Sequence, residues 1–354
     1  MIIISISREK LAPRFIVIIY MLSIQRRKRV RQSFCWTCSS VILLGVVLLL
    51  AKRKLLNVNI TQNVRCNYLT FNQTSSGQEY ALPNDCFNPD VMRWNKKSLT
   101  VAILYHNDVA HLKTQILGWE TLDKELKSAL LFLVIDDGSL DKAVAVTDNI
   151  ASCSVDISIV RVLEDIPWNI GGARNLAMLT APTKFVFVTD IDIHAPKGFY
   201  SHLLRLAKRA KHEASIGNHL IYASFKRVFE ASNEESRPHP ALMFLSKETY
   251  WRVGGCDEDF VGNYGYTDPH FWHRARQTRD VYIVNCHSDF PEIPSLVEKS
   301  QPRQYKRERD GTVNSALFEQ KKSDNNWSRL YLRFSWAVEQ AVCVKRSKSF
   351  FSGF

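Results

Sequence analysis

Short apolar runs, three of them closed by a polar cluster, constrain this chain more than any other feature. Leu99–Leu104 leads into His106-Asn107-Asp108, Leu130–Ile135 into Asp136-Asp137-Gly138-Ser139, and Phe185–Val188 into Asp190-Ile191-Asp192, with the run Ile157–Val162 between the last two. Each is of strand length and too short for a helix. Helix-patterned stretches fill the gaps, at Val109–Lys127, Asp141–Ile150 and Gly171–Leu179. Strand, helix, strand at this spacing predicts an α/β fold, a mostly parallel sheet with helices on both faces. In such sheets ligands bind beyond the carboxyl ends of the strands, which is where the polar clusters fall.

Charge separates the N-terminal end from the rest. The chain has 354 residues and a formal net charge of +12, a balance that raises the question of nucleic-acid binding. Residues 1–54 hold 11 Lys/Arg against one acid, Glu9, whereas the remaining 300 residues hold 36 basic and 34 acidic side chains. A body this close to neutral argues against a nucleic-acid surface. The basic residues flank Ser33–Ala51, 19 residues without a charge. At ~1.5 Å per residue a helix of that length nearly spans a ~30 Å hydrocarbon core. Because more Lys/Arg precede the segment than follow it, the N-terminus is expected in the cytosol and the C-terminal body in the lumen. The shorter run Phe15–Leu22 is too brief to span.

A luminal body agrees with three sequons, Asn59-Ile60-Thr61, Asn72-Gln73-Thr74 and Asn326-Trp327-Ser328, and with six cysteines beyond the span: Cys66, Cys86, Cys153, Cys256, Cys286 and Cys343. Their connectivity is left open. Cys35 and Cys38 at the membrane boundary suit apolar packing or lipidation. The expected organisation is a basic cytosolic tail (1–32), a transmembrane signal anchor (33–51), a polar stem (52–97), a catalytic domain (98–345) and a tail (346–354).

The chemistry-bearing residues follow the strands. Asp190 and Asp192 are carboxylates at alternate positions after a strand, suited to a hard divalent cation and a ribose or water. Asp136 and Asp137 can accept hydrogen bonds from a base or ribose, and Gly138 permits a tight turn. In Asn169-Ile170-Gly171-Gly172-Ala173-Arg174-Asn175 the two glycines would let the backbone approach a ligand, and Arg174 offers a fork for phosphate. Ala241–Leu245 reads as a strand leading into Tyr250-Trp251-Arg252-Val253-Gly254-Gly255-Cys256-Asp257-Glu258-Asp259-Phe260, then Asn263-Tyr264-Gly265-Tyr266-Thr267-Asp268. Pro269 suits the first turn of a helix, on which His270 and His273 read as surface histidines.

The order of strand, D-D-G-S, N-x-G-x-x-R-N, strand and D-x-D resembles the nucleotide-binding half of family-2-type glycosyltransferases with the GT-A fold. The 250–268 stretch is similar to the G-G-x-D-E-x-F … W-G-x-E-D acceptor-side motif of β1,4-galactosyltransferases and polypeptide N-acetylgalactosaminyltransferases. Together the resemblance spans about residues 99–290. It implies a GT-A nucleotide-sugar-binding fold and a metal-dependent hexosyltransferase of the Golgi or endoplasmic reticulum, single-pass and type II, taking a UDP sugar to a glycan, glycolipid or glycoprotein acceptor. By the same resemblance Asp136, Asp137, Asn169, Arg174 and Asp190 face the donor. Asp192, with Asp190, holds Mn2+ or Mg2+. His287, after the strand-like Val281–Asn285, adds a further ligand, and Asp268 is the general base of an inverting reaction. Gly255, Asp257, Glu258, Asp259, Tyr264 and Thr267 would shape the acceptor and sugar pocket, with local turn and cap structure the other reading of 257–259. Tyr264 stands where the motif has Trp, and Thr267 where it has Glu, so the donor sugar does not carry over. A retaining enzyme and a catalytically silent glycan-binding module are the alternatives.

Overall fold

The computed structural model describes residues 97–150, 154–229, 237–286, 309–323 and 330–339, with strand pieces at 69–70, 72–74, 77–79 and 293–295 and residues 327 and 328. The basic tail, Ser33–Ala51, the sequon residues Asn59 and Asn326, the cysteines at 35, 38, 66, 86, 153 and 343, and His287 lie outside the described residues. Among the described residues no helix is long and apolar enough to cross a membrane.

The apolar runs form strands of one eight-stranded sheet. In chain order these are β1 (Leu99–Tyr105), β2 (Leu130–Asp137), β3 (Ile157–Val162), β4 (Phe185–Asp190), β5 (His219–Ala223), β6 (Met243–Ser246), β7 (Val281–Asn285) and β8 (Trp336–Glu339). Their spatial order is β7-β5-β6-β4-β1-β2-β3-β8. β1 pairs in parallel with β2 and β4, β2 with β3, and β5 with β7, whereas β6 and β8 run antiparallel to their neighbours. The sheet is therefore mixed, with a parallel centre. The chain moves outward from β1 through β2 to β3, then returns to the other side of β1 as β4, so the strand order reverses beside β1. The crevice that such a reversal opens is where ligands bind in open α/β sheets.

Helices cover both faces: α1 (Val109–Glu120), α2 (Lys124–Ala129), α3 (Ala143–Ile150), α4 (Ile170–Thr180), α5 (Lys197–Ser215), α6 (Lys247–Val253), α7 (Thr267–Gln277) and α8 (Thr312–Lys322). Central strands buried on both sides need apolar residues at every position. Val101, Phe132 and Phe187 join one core under α1, α3 and α5, while their neighbours Ala102, Leu133 and Val188 join a second core under α4, α6 and α7. The single helix expected over Val109–Lys127 is two, because Asp123 caps a new helix by accepting the Leu126 amide at 3.0 Å and Leu122 is buried at the break. Within the stretch read as a stem, Leu69–Thr70 pairs antiparallel with Leu330–Tyr331, which ties that piece to the domain.

Candidate active site

The carboxyl ends of β1, β2 and β4 and the starts of α4 and α7 form the candidate site. Its loops hold three non-glycine residues at positive φ: Asn107 (50°), Trp168 (50°) and Tyr266 (63°). Such backbone is costly and persists where surrounding contacts impose it. For Asn107 those contacts are visible, since its Oδ1 accepts the Leu140 and Asp141 amides at 2.7 and 3.2 Å.

The two aspartates ending β2 have different fates. Asp136 is fully buried, and its oxygens accept the Ser139 amide, the Ala143 amide at the start of α3 and Arg161 Nη1, each at 2.9 Å. Fully buried and bonded to the turn, to α3 and to Arg161, Asp136 has no exposed face to offer a donor. Asp137 points outward and accepts Asn169 Nδ2 at 2.8 Å. Gly138 has φ +71°, and a β-carbon there would overlap the Glu164 carbonyl, so glycine is required at this crossing.

The glycines of α4 serve protein packing rather than ligand approach. A β-carbon on Gly171 would sit 3.3 Å from Thr267 Cγ2 and 3.4 Å from Cys256 Cβ, and one on Gly172 would overlap Asn169 Oδ1 and Phe334. This closeness buries Asn169, whose Oδ1 has no hydrogen-bond partner among the described residues, and Arg174, which is 1% exposed. Arg174 is not on a phosphate-facing surface: Nη1 donates to the Asp268 carboxylate, which is 21% exposed. Burial opposes the Arg174 charge. The facing Asp268, with Asp190 and Cys256, outweighs that and raises the guanidinium above its ordinary value. Arg174 and Asp268, read from separate motifs, thus pair, and the Asp190 charge acts on the same guanidinium.

Asp268 lies in the first turn of α7 and Thr267 is buried beside it. Tyr264 packs edge-on to Trp168 with ring centroids 4.8 Å apart, and Arg309 covers the Tyr264 ring. Asn314 of α8 holds this loop, donating to the carbonyls of Phe260, Asn263 and Gly265, each at 2.9 Å. His273 is partly exposed, but His270 is not a surface histidine. It is 1% exposed against Phe260 and Phe318, and burial, then Arg274 and Lys321, push it down to about 3.

Of the two roles open for the 257–259 acids, the structure displays the turn and cap. Asp257 caps the 3-10 turn Glu258–Phe260, and Lys321 lies 2.8 Å from Asp257 and 2.7 Å from Asp259. Glu258 is buried and accepts Asn175 Nδ2 and the amides of Leu332 and Arg333 at 2.8, 2.8 and 3.1 Å. Burial raises its carboxyl above the usual range despite those bonds. Gly255 has φ +63° and packs on Trp251 and Asn175. Cys256 is a buried free thiol, and Cys286 is buried as well.

Around Asp190-Ile191-Asp192 the structure adds two residues that sequence reasoning missed. Gln115 of α1 is buried, and its Nε2 donates to the carbonyls of Ile191 and Ile193 at 3.0 and 2.6 Å, fixing the turn that carries Asp192. His239 Nε2 lies 3.6 Å from Asp190 Oδ2. Its Nδ1 accepts the Ala241 amide at 3.2 Å, so the neutral ring keeps its proton on Nε2, toward Asp190. The only cue in the sequence was a histidine between Pro238 and Pro240 just before a strand. Among the described residues no three His, Cys, Asp or Glu side chains form a metal-type cluster. Asp190, 32% exposed, and the half-exposed Asp192 are oxygen donors on a braced turn, a set whose chemistry fits a hard cation sharing its shell with phosphates.

Fold and edge together define an α/β domain with a mixed sheet and acidic side chains at the carboxyl edge of its strands. Residues 140–249, less than half of the chain, match the family model described as Glycosyl-transferase for dystroglycan, a segment that includes Arg174, Asp190 and Asp192. No curated protein sequence matches the chain. Among solved structures, a mannosyltransferase from Pyrobaculum calidifontis in complex with GDP-Man and Mn2+ is 18% identical, with a TM-score of 0.41 over 59% of this chain and 63% of that one. S. aureus TarS 1-349 in complex with UDP-GlcNAc is 13% identical, with a TM-score of 0.42 over 57% of this chain and 59% of that one. This chain thus spans about three-fifths of the length of each.

Proposed function

We propose that this chain is a membrane-anchored, metal-dependent glycosyltransferase that moves a sugar from a UDP sugar to a hydroxyl of a glycan or glycoconjugate acceptor, with inversion. The observation that carries this reading is the Arg174–Asp268 pair at the carboxyl edge of the sheet, where Asp190 ends β4. Asp137 faces the base and ribose, and the buried Asn169 holds its carboxylate. Asp192 and Asp190, with His287 as a further ligand, hold Mn2+ or Mg2+. When bound, the cation offsets the charge of the departing diphosphate. Asp268 takes the proton of the acceptor hydroxyl as its oxygen attacks the anomeric carbon and the nucleotide leaves from the opposite side. Arg174 holds Asp268 in place instead of gripping the diphosphate. Trp168, packed against Tyr264 and partly exposed, offers an aromatic surface suited to the apolar face of a sugar ring.

Asp268→Asn tests the base. A positioned base contributes ~10²–10⁴-fold, so transfer should fall within that range while nucleotide-sugar binding persists. Near-normal transfer would remove Asp268 from the role, and a product that keeps the donor's anomeric configuration would replace inversion by retention. The anchored, luminal placement rests on the charge asymmetry around Ser33–Ala51. Glycosidase treatment of the expressed chain should shift its gel mobility; an unshifted band, with a C-terminal tag reached only from the cytosol, would overturn it.

A further inference from the structure

On the sheet face opposite α4 and α7, α5 meets β5 and β7 around a cavity of about 190 Å³ whose lining includes His202, Arg205, Arg209, Tyr222, Asn285 and Cys286. Helix α5 carries Lys197, Arg205, Lys208, Arg209 and Lys211 against one acid, Glu213. Arg205 and Arg209 are four residues apart and share a helix face, a like-charge arrangement that destabilises a helix unless something answers it. Neither makes an ion pair or hydrogen bond among the described residues. Glu213 is already engaged, accepting Asn218 Nδ2 at 3.0 Å.

A second observation is independent of the charge. Tyr222 is 1% exposed and lines the cavity, and its buried hydroxyl has no hydrogen-bond partner among the described residues. Native interiors rarely leave such a donor unmet. Burial raises this phenol and the nearby Arg209 charge lowers it, so the hydroxyl and the guanidinium are neighbours. Two unanswered guanidinium forks, an imidazole, an amide and an orphaned hydroxyl around a small cavity are the donor set of an oxyanion site.

We propose that this cavity binds a tetrahedral oxyanion, a phosphate or sulfate monoester, held by Arg205 and Arg209 with Tyr222, His202 and Asn285 as further donors. The cavity is distinct from the Asp268 site, whose helices pack on the other face. The ester comes either from a soluble molecule or from an anionic lipid headgroup at the membrane the chain is proposed to occupy.

The test is calorimetric titration of inorganic phosphate into the full chain in non-ionic micelles, at ionic strength held constant with chloride. Saturable binding is expected. Arg205→Gln with Arg209→Gln should weaken it by roughly tenfold or more, the effect of losing charge-assisted bonds. Tyr222→Phe should weaken it by a few fold. Both arginines are exposed, so the double variant should keep the wild-type unfolding midpoint and its nucleotide-sugar turnover. Micelles doped with phosphatidic acid, but not with phosphatidylcholine, should displace phosphate if the ester is a lipid headgroup; undisturbed phosphate binding assigns a soluble ester. Phosphate binding no tighter than chloride, or unchanged in the double variant, would overturn the site.

Discussion

Two acid-rich stretches of this chain look alike on paper and differ in the fold. Asp190-Ile191-Asp192 and Asp257-Glu258-Asp259 both place aspartates at alternate positions, the first at the end of β4 and the second beyond β6 and α6. The first leaves its aspartates partly exposed at the carboxyl edge of the sheet, with Gln115 bonding only the backbone between and after them. The second is met by distant cations and amides, and Asp257 and Glu258 are buried. The density of carboxylates therefore does not reveal whether they serve a ligand or the fold. What decides is whether the fold buries their side chains or leaves them partly exposed at the edge of the sheet.

Substitutions that exchange those roles sharpen the contrast. The largest effect is expected at Glu258. Glu258→Ala leaves Asn175 and the Leu332 and Arg333 amides without their acceptor, and breaking a buried charged network costs ~3–5 kcal/mol. Chemical denaturation should show that loss. Glu258 also sets a pH dependence. Its folded value is raised, so its contribution to stability is present below the ordinary Glu range and declines as pH rises through the folded value; Glu258→Gln should flatten that decline.

Asp192→Asn should do the reverse. Transfer should drop ~10²–10³-fold, the scale for losing one electrostatic stabiliser of the reaction, with the unfolding midpoint unchanged. An Asp192 variant that unfolds early would erase the distinction drawn here. Gln115→Ala should lie lower, at roughly tenfold in the metal concentration for half-maximal activity, as for other groups that orient a ligand.

The smallest effect at neutral pH belongs to His270. An unfolded histidine takes its proton near 6.5 and the folded one only near 3. Between those values the unfolded chain binds the extra proton, so stability should fall as pH drops through that window. His270→Phe, packed among Phe260 and Phe318, should flatten the acid limb of the stability profile.

The central fold was legible because its strands are mostly apolar: Ile157–Val162 and Val281–Asn285 run as their residues alone indicate, and β1, β2 and β4 only lengthen by a residue or two into their polar clusters. The site was legible as a set of motifs but not as partnerships. Nothing in Arg174 or Asp268 taken singly shows that they pair across 94 residues. Asp136 and Asp137 are adjacent letters, and only the turn geometry sends one inward. Gln115 and His239 reach the Asp190 turn from elements far off in sequence, where a lone Gln in a helix or a His between prolines carries no pattern. The two helical glycines suggested ligand approach because close backbone packing and close ligand contact ask for the same residue.

Calorimetric binding of UDP to the full chain, with and without Mn2+, compared between wild type and Asp192→Asn, tests the division between the two acid-rich stretches most directly. The wild type should bind UDP tightly only when Mn2+ is present, and Asp192→Asn should lose that metal-dependent part while unfolding at the wild-type temperature. Binding that ignores Mn2+, or that survives unchanged in Asp192→Asn, would contradict the assignment of the Asp190–Asp192 turn to the donor.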